Sequence, residues 1–178
     1  MLSAIKTLLI ILFYFFLAGC DADISANRKV NEEPEMFVKP ATENYVIFSP
    51  LEGVLMRNGQ PLANTKIIRR LRWNGNDEGL VEEFTTDIQG RFSLPVHEEA
   101  LSLGMLSQFV GSAKLEVDID GQLIDVWYNN KFEEGLYAET DGPLTDLVCD
   151  LDFEEIVIKA GLSKIMTICR WKDMPESE

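Results

Sequence analysis

The chain has 178 residues, 46% of them apolar, and its 30 acidic and 16 basic side chains give a formal charge of −14. That length holds one domain plus appendages, and a domain of about 130 residues buries enough apolar surface to fold alone. The charge argues against nucleic acid and anionic membrane surfaces as partners, because phosphate contacts would form against net repulsion. It favours a basic protein or cationic peptide, or else serves solubility alone.

The chain opens with Lys6 and an apolar run from Leu8 to Leu17, the form of a secretory signal. Leu17-Ala18-Gly19-Cys20 follows and resembles the bacterial lipobox. The resemblance implies a signal peptide over residues 1–19, cleavage before Cys20 and acylation of its thiol. Firm attachment to the bacterial membrane would follow, since several acyl chains hold far better than one. An uncleaved membrane helix is the alternative, but about 14 residues from Thr7 to Cys20 fall short of the roughly 20 that span a bilayer. Cleavage would leave 15 basic and 30 acidic side chains, a formal charge of −15. Asp21 after the cysteine resembles the signal that retains lipoproteins in the inner membrane of enteric-type bacteria. Residues 20–44 are polar and acidic, broken by Pro34 and Pro40, and read as a flexible tether.

Residues 45–172 read as an all-β sandwich domain. Tyr45 to Phe48 begins the first strand, Pro50 marks a kink, and Gly53 to Arg57 is the second strand. Asn58-Gly59 supplies the positive φ angles of a hairpin turn, and Pro61 suits an edge. From Lys66 to Trp73, Ile67, Arg69, Leu71 and Trp73 share one face, and Ile68, Arg70 and Arg72 the other. Arg69, Arg70 and Arg72 form the one dense basic patch of the sequence. They are either a binding strip for an acidic group or a strand face paired with acids such as Glu82 and Glu83. Asn74 to Gly79 reads as a loop, and Leu80 to Thr86 as the next strand. Asp87 and Gly90 bracket a turn before the strand Arg91 to Val96.

Residues 97–108 are either a short helix or a covering loop. Asp120-Gly121, between the alternating runs Lys114 to Ile119 and Gln122 to Trp127, is a strong hairpin signal. Trp127 reads as core and Tyr128 as a surface candidate beside the loop Lys131 to Pro143. The last strands are Leu144 to Leu151 and Ser163 to Trp171. Cys149 and Cys169 alternate with apolar residues there; in an exported protein an even pair predicts a disulfide, with two buried thiols as the alternative. Residues 173–178 read as a disordered tail.

Gly53, Val54, Gly59, Pro61, Leu62 and Ala63, then Thr86, Asp87, Gly90, Phe92 and Leu94, form a pattern that resembles the carboxypeptidase regulatory-like, or transthyretin-like, β-sandwiches. Phe48-Ser49-Pro50-Leu51-Glu52-Gly53, Trp127 and Cys149 narrow the resemblance to an uncharacterised family of bacterial envelope lipoproteins. It implies a Greek-key sandwich of about seven to nine strands over roughly Phe48 to Trp171. It implies no activity, because sandwiches carry many functions.

No catalytic constellation is evident. A single histidine, His97, cannot supply a two-histidine metal site. The histidines of the intradiol dioxygenases and hydroxyisourate hydrolases, which share related sandwiches, have no counterparts here. The pairs Asp118/Asp120 and Asp150/Asp152 read as solvated strand faces rather than glycosidase or calcium carboxylates. The expectation is therefore a non-enzymatic periplasmic binding module without metal or cofactor, lipid-anchored at Cys20 and inner membrane by virtue of Asp21. One version is an immunity or inhibitor protein that blocks an envelope-targeting toxin, with a basic partner. The alternative is an accessory lipoprotein that stabilises a larger membrane complex. A hydrolase with an unrecognised site ranks last.

Overall fold

A computed structural model describes residues 41–177. The signal peptide, the acylation site Cys20, the sorting residue Asp21 and most of the tether lie outside the described residues.

The described residues are all-β, with sheets packed face to face as a β-sandwich. One sheet of six strands has β4 (Lys66–Trp73), β5 (Asn76–Thr85), β8 (Gly111–Ile119), β9 (Gln122–Lys131), β11 (Ile156–Ala160) and β12 (Ser163–Thr167), in the order β11-β12-β9-β8-β4-β5. The other is built on β2 (Leu51–Arg57), which pairs with β3 (Gln60–Pro61), β6 (Arg91–Leu94) and β10 (Val148–Asp150), while β13 (Cys169–Arg170) pairs with β10. A two-stranded ribbon of β1 (Glu43–Phe48) and β7 (His97–Leu101) makes contact with β4 and β8.

The turns follow from their residues. Asn58 and Gly59 both take positive φ, 51° and 68°, as do Asp120 and Gly121 at 55° and 84°, the geometry of hairpin turns that match strand twist. Gly90, at φ 73°, would place a side-chain carbon 2.6 Å from the carbonyl oxygen of Leu55, so the Asp87 turn admits only glycine there. Alternation on the central strands then fills the space between the sheets. Ile67 and Leu71 of β4, Leu115 and Val117 of β8, Trp127 of β9 and Ile165 of β12 are all buried, opposite Leu55 and Leu94.

Several elements differ from the sequence reading. The expected seven to nine strands are divided among thirteen, partly because β3 and β13 are two-residue bridges. Residues 97–101 are neither helix nor covering loop but the strand β7, whose pairing with β1 is long-range and carries weak periodicity. The expected loop over residues 74–79 is mostly strand: β5 begins at Asn76, and a register irregularity near Gly79 absorbs the glycine. β11 was hidden in the stretch between the last two expected strands. Asp150 is not on a solvated face; it is buried and accepts from the backbone N–H groups of Gly59 and Asp152, while Asp152 accepts from Asn58. The carboxylates clamp the first hairpin. Met174 packs partly against the core, inside the segment read as a free tail.

The predicted disulfide joins Cys149 of β10 to Cys169 of β13, directly opposite in register. These strands are too short to hold the sheet edge by hydrogen bonds alone. Closing a 20-residue separation restricts the unfolded chain by about 3 kcal/mol. Replacing both cysteines by alanine is therefore expected to lower unfolding free energy by about that amount in a denaturant titration. An unchanged midpoint would remove the disulfide from the account of stability.

Candidate binding surface

The basic stretch of β4 divides between the two faces of its sheet. Arg69 points inward, in a row with Leu115 and Trp127, and is fully buried at 0% exposure. Its Nε donates to Glu82 Oε2 at 2.9 Å, its Nη2 lies 2.7 Å from the same oxygen, and its Nη1 donates to the Pro95 carbonyl. The guanidinium carbon sits 4.7 Å from the Phe48 ring centroid and 5.1 Å from that of Phe84. Arg69 is thus a structural cation held by one carboxylate, one carbonyl and two aromatic faces, not part of a binding strip. The pairing with Glu82 expected from the sequence is present.

Arg70 and Arg72 point outward. Register places Arg70 beside Lys114 of β8, and Lys114 beside Tyr128 of β9. Arg70 Nε lies 2.7 Å from Glu116 Oε2, and Lys114 Nζ is 2.9 Å from Glu116 Oε1 and 2.8 Å from Asp125. The two cations share one buried carboxylate. Arg72 is exposed, and no hydrogen bond or ion pair holds its guanidinium among the described residues. Tyr128 is 37% exposed and donates to Asn130 Oδ1. Arg70, Arg72, Ser112, Ala113, Lys114 and Tyr128 line an open groove of about 290 Å³. A second groove of about 250 Å³, which shares Arg72 and Ser112, continues it toward Asn74.

Three of the four surface residues named from the sequence therefore come together, and Arg69 is separated from them by the sheet. Lys114 and Ser112 were missed. Their alternation with Glu116 marks an outward face, but which strand lies beside β4 is a long-range fact. Tyr128 reaches this face through a bulge. Glu116 is opposite Asp125, yet Leu115 is opposite Trp127, so Val126 is the extra residue. Were the pairing regular, Val126 would oppose Leu115, and Trp127 would oppose Lys114 and face outward.

The electrostatics of the groove are local. Burial raises the Glu116 carboxyl, but hydrogen bonds from Arg70 and Lys114 outweigh it and hold the group below its ordinary value. The hydrogen bonds that Lys114 donates to Asp125 and Glu116 raise its ammonium above the ordinary value.

A second polar cluster lies inside. Lys131 Nζ is 2.7 Å from Glu139 Oε2, both buried, and Glu139 Oε1 accepts from the Ser49 N–H. Burial lowers Lys131 despite the pull of Glu139. The space beside Ser49, Trp127 and Glu139 is about 10 Å³, room for about one water. The cluster fixes the loop over residues 132–147 to β9. Among the described residues no group of three or more His, Cys, Asp or Glu side chains is placed to hold a metal ion.

Stability should separate the two arginine environments. Arg69→Ala removes a caged cation and leaves a cavity, and is expected to cost about 3 kcal/mol; Arg72→Ala should stay within about 0.5 kcal/mol. Equal effects in urea titrations would contradict the assignment.

The folded Glu116 carboxyl is depressed below 4.5. Its contribution is therefore present above that value and lost as pH falls through the folded value. Arg70→Ala should flatten the acid side of the stability–pH curve, and an unaltered slope would show that Arg70 does not hold the carboxylate.

A domain family of unknown function (DUF6795) matches residues 51–154 of the chain. No curated protein and no solved structure matches it.

Proposed function

The chain belongs to the DUF6795 family, and we propose that it is a non-enzymatic binding module of the bacterial envelope, held on the periplasmic side of the membrane by acyl chains on Cys20. Leu17-Ala18-Gly19-Cys20 supports the anchor, and Asp21 supports the inner membrane. The two turn sequences at Asn58-Gly59 and Asp87 to Gly90 support a place among the transthyretin-like Greek-key sandwiches.

The observation that carries the binding role is the outer face of the six-stranded sheet. There Arg70, Arg72, Lys114 and Tyr128 stand together on an otherwise acidic protein. A charged groove walled by an aromatic ring is the composition of an interface rather than of a solvated face. Among the described residues no carboxylate pairs with the Arg72 guanidinium. The partner is a protein of net positive charge, drawn in by the overall field, that places a carboxylate-bearing segment in the groove. Blocking an envelope-targeting toxin is the version we favour, because a tethered sandwich with no evident chemistry acts by occupying a surface.

The test is capture from intact cells with the lipidated protein as bait, comparing wild type with Arg72→Glu. Wild type should enrich one basic protein, and the reversal should lower its yield about tenfold, with binding weakened by salt. Equal capture would remove the groove from the interface. Enrichment of a set of resident envelope proteins would select the accessory role instead.

A further inference from the structure

Residues 100–113 contain no charged side chain, in a protein where 26% of residues are charged. Most of this stretch is the connection from β7 to β8. Its base is pinned. Phe109 is buried, its ring 5.0 Å from that of Tyr45. The Asn74 side chain donates to the Gln108 carbonyl and accepts from the Val110 N–H, and the Asn74 N–H donates to the Val110 carbonyl. The tip is a tight turn closed by the Ser107 N–H on the Gly104 carbonyl at 2.8 Å. It holds Met105 and Leu106 at 100% exposure. A firm base with two fully exposed apolar side chains at the tip costs solubility, and nothing in the domain covers them.

The position of this tip identifies its occupant. Glu43 of β1 is opposite Leu101 of β7, and the Thr42 hydroxyl is 2.7 Å from that of Ser102. The chain arriving from Cys20 therefore joins the domain three residues before Met105, a reach of about 10 Å at most. Twenty residues, 21–40, lie between Cys20 and Ala41, a number that reaches at most about 70 Å. The opposite end of the sandwich carries the Asp120-Gly121 and Asp87 to Gly90 turns.

We propose that the Met105–Leu106 turn is a membrane-contact tip, seated in the headgroup region of the bilayer that carries the lipid anchor. The proposal rests on the acylation of Cys20. The contact is apolar and the loop neutral, so it needs no anionic lipid. Glu43, Glu133 and Glu134, which are exposed on or near the β1 ribbon, disfavour one. Anchor and tip together fix which end of the sandwich faces the membrane and leave the Arg72 groove on its flank, open to the periplasm.

The experiment uses the full chain, made in bacteria with its leader and reconstituted in phosphatidylethanolamine–phosphatidylcholine vesicles. The disulfide and the acylated cysteine leave no free thiol, so Ser107→Cys and Ile88→Cys accept a fluorophore singly. Ile88 is exposed in the turn at the far end. Lipid-borne quencher should reduce emission at 107 at least about twofold more than at 88, and Met105→Ser with Leu106→Ser should abolish the contrast. Equal quenching in a protein that floats with the vesicles overturns the membrane tip alone. Shielding of 107 from aqueous iodide without lipid quenching indicates a protein pocket and overturns it too. A chain that does not float overturns the anchor and the tip together.

Discussion

The cage around Arg69 is the constraint on which the sandwich depends. A guanidinium in the interior is tolerable only if its charge is answered; for Arg69 the Nε and Nη1 donors are hydrogen-bonded, while Nη2 has the charge contact with Glu82 and no hydrogen bond. Here the answers come from separate parts of the chain. Glu82 and Phe84 belong to β5, Phe48 ends β1, and the Pro95 carbonyl lies between β6 and β7. Meeting the needs of one side chain therefore fixes the ribbon against the six-stranded sheet. It also sets which face of β4 is inward, and so forces Arg70 and Arg72 outward into the groove. The proposed binding face is a consequence of a packing requirement on the other side of the same strand.

Alternation made β4 legible from the sequence, because Ile67 and Leu71 declare the face that Arg69 shares. What the sequence could not supply was the neighbour of each strand. An arginine on an apolar face reads equally as a basic patch until Phe48 and Phe84 are known to cover it. The two hairpins at Asn58-Gly59 and Asp120-Gly121 were legible, since only residues free to take positive φ form such turns. The bulge at Val126 was not. It depends on both Val126 and Trp127 finding room between the sheets, which is a property of the assembled core. A one-residue shift decides which face every later residue of β9 occupies, so the meeting of Tyr128 with Lys114 was out of reach of local pattern. The same reasoning covers β7 and β11, whose pairing partners, rather than their own residues, make them strands.

The acidic pairs teach a related point. Asp150 and Asp152 have the spacing of a solvated strand edge, yet one is buried and both accept backbone N–H groups of the first hairpin. Burial raises the Asp150 carboxyl, and hydrogen bonds from the N–H groups of Asp152 and then Gly59 more than compensate, leaving it below its ordinary value. The carboxylates of Asp150 and Asp152, the disulfide at Cys149 and Cys169, and the Lys131–Glu139 pair all tie loops to the sheet built on β2 or to β9. The polar interior is thus spent on holding connections, and Arg72, the groove cation without a counter-ion among the described residues, is on the outside.

The central claim is that the outer face of the six-stranded sheet is where a partner binds. Its most direct test replaces Tyr128 by a photo-crosslinking amino acid in the living cell, with the same substitution at Ile88 as the reference site. The account predicts a discrete crosslinked species from position 128, identified as a single basic protein, and none from position 88. The same products from both positions, or none from 128 while 88 crosslinks, would contradict it.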